Sequence, residues 1–145
     1  MKKGFVQATT QEIANAANVA EVTLFRKFKS KQNLFIIVIK NVLEKQFSSQ
    51  ILKLAEEEDT EHFIKVVIKN RLEILSRNNK LVKMLISESL NGNLTEEINL
   101  PNVIFTNLKV GLEYHFKKIN KEVDTELCAR HLGGIFLSHL ILPND

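Results

Sequence analysis

The feature that most constrains this chain is a pair of short helical segments separated by a tight turn near its start. Thr9 and Glu12 have the spacing of a capping box, in which each side chain accepts a hydrogen bond from the other residue's backbone N–H, so a helix is expected to begin here. Asn18 follows, and asparagine tolerates the left-handed conformation of a tight turn. A second short helix is predicted from about Ala20 to Phe28. Two short helices joined by such a turn predict a helix-turn-helix.

Within the helix-turn-helix, we expect Val19, Leu24 and Phe28 to face inward. Apolar residues in the rest of the sequence also recur at helical spacing. With only 5 Gly and 2 Pro and almost no alternating β-branched runs, the predicted fold class is all-α. We expect an N-terminal head (residues 1–46) that a long helix joins to a helical-bundle body (residues 47–145). The helices expected after the head are a long one from Lys31 to about Glu56, then Thr60 to near Asn78, Lys80–Asn91, about Asn102–Asn120, and Asp124 or Thr125 to Leu142.

Charge is distributed unevenly along the chain. Residues 1–53 contain nine Lys and Arg against three acids, a charge of +6, whereas residues 54–145 contain eleven against fourteen, a charge of −3. A localised positive patch suits a polyanion such as the DNA backbone. The longest uncharged apolar stretch, Leu132–Leu142, is shorter than the roughly 20 residues of a membrane span, and no secretory signal is recognisable. We therefore expect a cytoplasmic protein without a membrane partner.

The sequence offers little for catalysis or metal binding. Cys128 and His131 lie one helical turn apart and His139 two turns further on, but a second Cys or a carboxylate is missing from the pattern. A nucleophilic Cys–His pair would also need an orienting acid and an oxyanion-stabilising motif. We predict that Cys128, His131 and His139 contribute only to the packing of the fold. We predict no catalytic residue, no metal site and no cofactor.

Residues Gly4 to Leu34 resemble the DNA-binding head of the tetracycline-repressor (TetR) family. The matching positions are Gly4-Phe5, Thr9-Thr10, Ile13-Ala14, Ala17-Asn18-Val19, Thr23-Leu24-Phe25, Arg26-Lys27-Phe28, Ser30-Lys31 and Leu34. The resemblance implies that the second short helix is a recognition helix in the major groove of DNA. Phe25 stands where the family usually has Tyr, and Val22 where it often has Gly. The DNA-binding residues that the resemblance implies are Thr9, Glu21, Val22, Thr23, Phe25, Arg26, Lys27, Lys29 and Lys31.

For the body, the resemblance implies a small-molecule effector and pairing of two subunits. Apolar residues at helical spacing could line an effector pocket, with ordinary core as the alternative: Phe47, Phe63, Met84, Phe105, Leu108 and Phe116. The last helix is apolar on more than one side, which predicts that it is buried in its own core or against a partner. Gly133 and Gly134 would allow a close backbone approach there. The residues predicted for a dimer interface are Leu132, Ile135, Phe136, His139 and Leu140.

These observations predict a DNA-binding transcriptional regulator. The resemblance implies a ligand-responsive repressor that acts as a homodimer on a palindromic operator in double-stranded DNA. Compared with the family pattern, we expect the chain to lack the family's first helix and its last helix. The alternative is therefore a shortened regulator that works only as a helical dimerisation and ligand-binding module without binding DNA. The basic head favours the first hypothesis, and the expected lack of a first helix favours the second.

Overall fold

All regular structure in the computed structural model, which describes residues 7–48 and 50–142, is helical. The all-α prediction is therefore confirmed for this part of the chain. The elements are α1 (Thr10–Ala16), α2 (Glu21–Phe28), α3 (Lys31–Leu43), a π-helical segment (Glu44–Ser48), α4 (Ile51–Leu54), α5 (Thr60–Arg77), α6 (Asn79–Leu90), a 3₁₀ turn (Glu96–Ile98), α7 (Leu100–Lys118) and α8 (Thr125–Ile141).

The chain divides into two compact units between Val42 and Leu43. We call the unit that contains α1, α2 and most of α3 the head, and the other the body. Residues 1–42 contain seven Lys and Arg against two acids, a charge of +5, and residues 43–145 contain thirteen against fifteen, a charge of −2. The charge asymmetry of the sequence thus coincides with the division between the two units.

The turn between α1 and α2 closes as a Schellman motif around Asn18. Asn18 has φ 56°, and the N–H of Val19 donates to the carbonyl of Ala14 at 3.0 Å. The prediction that Asn18 supplies a left-handed turn is confirmed. The prediction that Val19 faces inward is wrong, because its side chain is 41% exposed. Val19 belongs to the turn and not to α2, so the helical spacing from which its inward position was inferred does not apply to it.

The predicted continuous helix from Lys31 to Glu56 is interrupted, so that prediction is wrong. After α3, the backbone widens into the π-helical segment, and only the short α4 follows. Carbonyl groups that this distortion makes available are bound by side chains of other helices. The Arg71 guanidinium donates to the carbonyls of Gln46 (3.1 Å) and Phe47 (3.0 Å), and the Asn107 amide also donates to Phe47 (2.8 Å). Tertiary hydrogen bonds therefore stabilise a break that the local sequence does not predict.

Helix α7 is the central element of the body and packs against α8, α4 and α6. Its approach to α4 depends on Gly111, since a Cβ at this position would overlap the Ile51 side chain. By contrast, an added Cβ at Gly133 or Gly134 meets no atom within 4 Å, so those glycines do not mediate close packing inside the subunit. The large apolar side chains of the body core that are 2% exposed or less are Ile51, Phe63, Val67, Leu75, Leu85, Ile98, Leu100, Leu108, Leu112 and Phe136.

The ends of the body helices follow the local sequence signals. Helix α6 ends at Leu90, and Gly92 follows it with φ 70°. Helix α7 begins after the N-cap residue Asn99, and Pro101 lies in its first turn. The Asp124 carboxylate accepts from the N–H of Leu127 at 2.9 Å and caps α8. Within the described residues, each helix is too short or too polar to cross a membrane.

Candidate nucleic-acid interface

The start of α1 is fixed by the predicted capping box. The Thr9 hydroxyl accepts from the N–H of Glu12 at 3.1 Å, and the Glu12 carboxylate accepts from the N–H of Thr9 at 3.3 Å. Ala14 then points into the head and is buried. Thr9 remains exposed, and its hydroxyl hydrogen is still able to donate. Capping and a contact to a DNA phosphate are therefore compatible at this residue.

Helix α2 packs against the rest of the head through one of its sides. Leu24 is buried and Phe28 is half-buried, four residues later on the same side. The structure leaves the other residues of α2 exposed: Glu21, Val22, Thr23, Phe25, Arg26 and Lys27. The six residues predicted to face DNA from this helix are thus the six that the head does not bury.

Two of these six have partners within the head. The Glu21 carboxylate accepts a hydrogen bond from the Thr10 hydroxyl at 2.8 Å, which joins the first turns of α1 and α2. The Lys27 amino group lies 5.4 Å from the centre of the Phe28 ring. Because Ala20 at the N-cap of α2 makes no side-chain hydrogen bond, the contact of Glu21 with Thr10 is the side-chain anchor of this helix start. The structure therefore places Glu21 in a positioning contact that sequence reasoning did not foresee.

A further cationic region follows the C-terminus of α2. Lys29 is exposed and adopts a left-handed conformation with φ 65°, which ends the helix. Ser30 directly precedes α3 and caps it, since its hydroxyl accepts from the N–H of Asn33 at 3.0 Å. Lys31 is half-buried, and its amino group donates to the Ala8 carbonyl at 3.1 Å. Lys31 thus connects the start of α3 to the residue before the α1 cap, a structural contact in addition to its predicted contact with DNA.

The predicted effector residues all lie in the body, where they are buried or half-buried. Phe47, Phe63, Leu108 and Phe116 are buried in the body, and Met84 and Phe105 are half-buried. Phe63 borders an open depression of about 380 Å³ near Glu56 and His62, while Phe116 borders another of about 400 Å³ near Lys121. Phe63 also stacks on the buried His115 ring at 4.5 Å. These placements are those of core side chains, two of which reach the edge of a surface depression.

The residues predicted for a dimer interface fall on different sides of α8. Leu132, Phe136 and Leu140 are 7%, 2% and 6% exposed, so they belong to the core of their own subunit. Ile135 is exposed, and the half-buried His139 lies 3.5 Å from the Ser76 hydroxyl. The side of α8 opposite the core presents Leu127, His131, Gly134, Ser138 and Ile141.

Cys128 and His131 do not form a metal site with other described residues. Among residues 7–48 and 50–142, no three His, Cys, Asp or Glu side chains are close enough together to hold a metal ion. The Nδ1 atom of His131 instead lies 2.8 Å from the Leu127 carbonyl on the preceding turn of α8. The thiol of Cys128 is half-buried.

Sequence reasoning missed Arg71, a buried cation in the body. Its guanidinium is 1% exposed, lies 5.1 Å from the Phe47 ring centre, and donates to the Asn107 side chain at 2.7 Å. Burial lowers the pKa of Arg71 to about 10, which leaves it protonated at neutral pH. A signal was present, because Arg71 continues the i, i+4 series of the buried Phe63 and Val67.

Comparisons with known proteins agree with this geometry. Residues 1–38 match the family model described as bacterial regulatory proteins, tetR family. An uncharacterized HTH-type transcriptional regulator, YvkB of Bacillus subtilis (strain 168), is 59% identical over 34 residues, which cover 23% of this chain and 18% of that protein. No solved structure matches the chain.

A second group of relatives extends the similarity beyond the head. The nucleoid occlusion factor SlmA of Aliivibrio fischeri (strain MJ11) is 31% identical over 91% of this chain and 70% of its own length. SlmA of Glaesserella parasuis serovar 5 (strain SH0165) is 28% identical over 61% of this chain and 44% of its own length. The chain therefore belongs to the TetR family of bacterial regulatory proteins and is a helix-turn-helix DNA-binding transcriptional regulator.

Proposed function

We propose that this protein is a cytoplasmic repressor that binds a palindromic operator as a homodimer and releases it when the body binds a small-molecule effector. The observation that carries the proposal is the exposed surface of α2, where Thr23, Arg26 and Lys27 are open to solvent while Leu24 is buried. A helix held by one apolar side and open on a basic, hydrogen-bonding side has the form that a major-groove reader needs. The proposal assigns no catalytic activity to the chain.

Within this proposal, each exposed polar or charged residue of α2 has a definite role. Thr23 reaches a base edge or a phosphate, and Arg26, Lys27 and Lys29 neutralise phosphates. Thr9 donates its hydroxyl hydrogen to a phosphate while it caps α1. Glu21 does not contact DNA directly and instead holds the start of α2 through Thr10. Lys31 contributes positive charge near the N-terminus of α3, where backbone N–H groups also favour an anion.

For the homodimer, we propose that the outer side of α8 pairs two subunits. Leu127, Gly134 and Ile141 are spaced seven residues apart, so they lie along one side of the helix. All three are exposed, and neither Gly134 nor Gly133 has an atom near the position of an added Cβ. We propose this side as the dimer interface in place of Leu132, Phe136 and Leu140, which are buried in the core of their own subunit. Two subunits related by a twofold axis would match the two halves of a palindrome.

The effector site stays a proposal based on family membership. A ligand that reaches Phe63 or Phe116 would enter from the depression that each of these side chains borders. Such a ligand could shift the body between states only by binding one state more tightly than the other. Release of DNA would follow if the preferred state spaces the two recognition helices differently.

The proposal is tested by selecting DNA from a random-sequence duplex library with the purified chain. We expect enrichment of a palindrome whose half-sites are about one helical turn apart, bound by two chains per duplex. The paired variant Arg26→Ala/Lys27→Ala should lower the salt dependence of binding, by about 0.9 in the slope of log K against log salt concentration for each phosphate that is no longer neutralised. The control Lys69→Ala/Lys83→Ala removes the same charge from exposed residues of the body and should leave the slope unchanged.

Three results would contradict separate parts of the proposal. Failure to enrich any sequence argues against operator binding and favours a module that does not bind DNA. An asymmetric site that binds one chain argues against the homodimer. Lower transcription of the bound genes after deletion of the regulator argues against repression, since removing a repressor should raise it.

A second candidate function is nucleoid occlusion, and one observation favours it. The similarity to the A. fischeri nucleoid occlusion factor extends over 91% of this chain and therefore includes the body, whereas the YvkB match covers only 34 residues. Deletion of the gene distinguishes the two functions. A repressor should change transcription of genes next to its sites, whereas a nucleoid occlusion factor should change the position of division sites relative to the nucleoid.

A further inference from the structure

We propose that Val22 and Phe25 read thymine through its C5-methyl group, so that the two side chains determine part of the operator sequence. This inference rests on the proposed function, because it requires α2 to lie in the major groove. It adds the identity of the bases that an apolar strip on this helix selects.

The strip is defined by position and exposure. Val22 and Phe25 are three residues apart and therefore neighbours on one side of α2. They are 69% and 64% exposed, although the adjacent Leu24 is buried in the head. Arg26 is exposed next to the strip and Lys29 is exposed beyond it, so the apolar surface has cations beside it. The positive charge of Arg26 and Lys29 is complementary to phosphates, and we therefore infer that the partner of the strip is DNA.

The chemistry of the two side chains then limits what they can recognise. Valine and phenylalanine have no side-chain hydrogen-bond donor or acceptor, and Phe25 cannot offer a phosphate the hydroxyl that a tyrosine would. Placing an apolar group over a polar base edge would remove water from that edge without replacing its hydrogen bond. The thymine methyl is the apolar group that an unmodified base pair exposes in the major groove. Contact with this methyl is therefore the favourable way to bury the strip against DNA.

Replacing thymine with deoxyuridine in the selected duplex tests the inference, because uracil has the same hydrogen-bonding edge and lacks the methyl. We expect the affinity to fall about fourfold for each contacted thymine that is replaced, the effect of one buried methyl group. Titration of labelled duplexes at one fixed salt concentration measures the change. Replacing the thymines one at a time maps the positions that face the strip.

Protein variants assign the effect to these two residues. In the variant Val22→Ala/Phe25→Ala, the duplexes with thymine and with deoxyuridine should bind almost equally. The matched variant Lys27→Ala changes an exposed residue of the same helix, and it should weaken binding to both duplexes while keeping their ratio. Both variants change exposed side chains only, and circular dichroism should show unchanged helix content.

The outcomes distinguish failure of the proposed function from failure of the methyl readout. If the wild-type chain selects no DNA sequence, the proposed function fails and this inference fails with it. If the chain selects a sequence but binds both duplexes equally, only the methyl readout is overturned. If the preference for thymine persists in Val22→Ala/Phe25→Ala, the methyl group acts through DNA shape or another residue, and the assignment to the strip is overturned.

Discussion

At the scale of single residues, the head uses several polar side chains to position its helices. Thr9 caps α1, Thr10 donates to Glu21, and Lys31 donates to the Ala8 carbonyl. All three contacts involve residues that lie before or within the first turn of a helix. The geometry of the DNA-facing side therefore depends on hydrogen bonds at helix starts, where backbone groups have no partner within the helix.

The contact of Thr10 with Glu21 leads to a prediction about charge. Glu21→Gln keeps an acceptor for the Thr10 hydroxyl and removes a negative charge from α2, so affinity for any DNA should rise by about twofold to fivefold, as expected for a charge exposed to solvent. Thermal stability should fall slightly, because Glu21 is the first residue of α2 and its negative charge interacts favourably with the helix N-terminus. Glu21→Ala should also lower the free energy of unfolding, by up to about 1 kcal/mol, because this variant cannot accept the hydrogen bond from Thr10.

Binding titrations and thermal unfolding of both variants measure these effects. Glu113→Gln is the control, since it removes an exposed acid from α7 in the body and should change neither quantity. A fall in DNA affinity in Glu21→Gln would show that the carboxylate itself takes part in recognition.

At the scale of helices, the sequence predicted the elements whose signals are local. The capping box at Thr9 and the turn at Asn18 are determined by residues within one or two helical turns, and both predictions are confirmed. The break after α3 could not be predicted in this way. It depends on Arg71 and Asn107, which are 24 and 60 residues away from Phe47 in the chain.

The same reasoning explains the placement of α8. Its residues are apolar on two sides, and the sequence alone does not say which side packs inside the subunit. Leu132, Phe136 and Leu140 were predicted to face a partner, yet they face α7 or α5 in the core of the body. The exposed residues of α2 were predicted through the resemblance to the TetR family, since the apolar side chains of Val22 and Phe25 alone would have suggested burial.

The close packing of α4 against α7 makes a prediction about Gly111. Gly111→Ala should lower the free energy of unfolding by about 1–3 kcal/mol, because the added methyl group overlaps the buried Ile51 side chain. Gly134→Ala is the matched control, since it lies within a helix with no atom within 4 Å of the new Cβ. It should be neutral or stabilise the monomer by up to about 1 kcal/mol through helix propensity.

Urea unfolding of the two variants, at a concentration where the chain is monomeric, measures both values. Equal stability of Gly111→Ala and wild type would show that α4 moves away from α7 at little cost. In that case Gly111 would not determine the spacing of these helices.

At the scale of the whole molecule, the proposed dimer depends on the outer side of α8. Ile141→Glu places a charge among exposed apolar residues and should weaken the dimer by at least about tenfold, as expected when a charge must be buried without a partner. Leu90→Glu is the control, because Leu90 is 82% exposed and belongs to a different helix, α6. Sedimentation equilibrium of the two variants measures the dissociation constant.

The two variants also distinguish a dimer through α8 from other arrangements. A dimer that survives Ile141→Glu and dissociates in Leu90→Glu would move the interface to α6. A monomeric wild type at micromolar concentration would remove the basis for a palindromic site.

The opposite charges of the two units have a consequence for the kinetics of DNA binding. The net charge is +5 on residues 1–42 and −2 on residues 43–145, so the two units carry net charges of opposite sign. The negative field of DNA attracts the first unit and repels the second. Encounters that begin with the basic unit towards the duplex are therefore favoured before any specific contact forms. The rate of association with DNA should be high at low salt and should fall steeply as salt is added, while the rate of dissociation should change less.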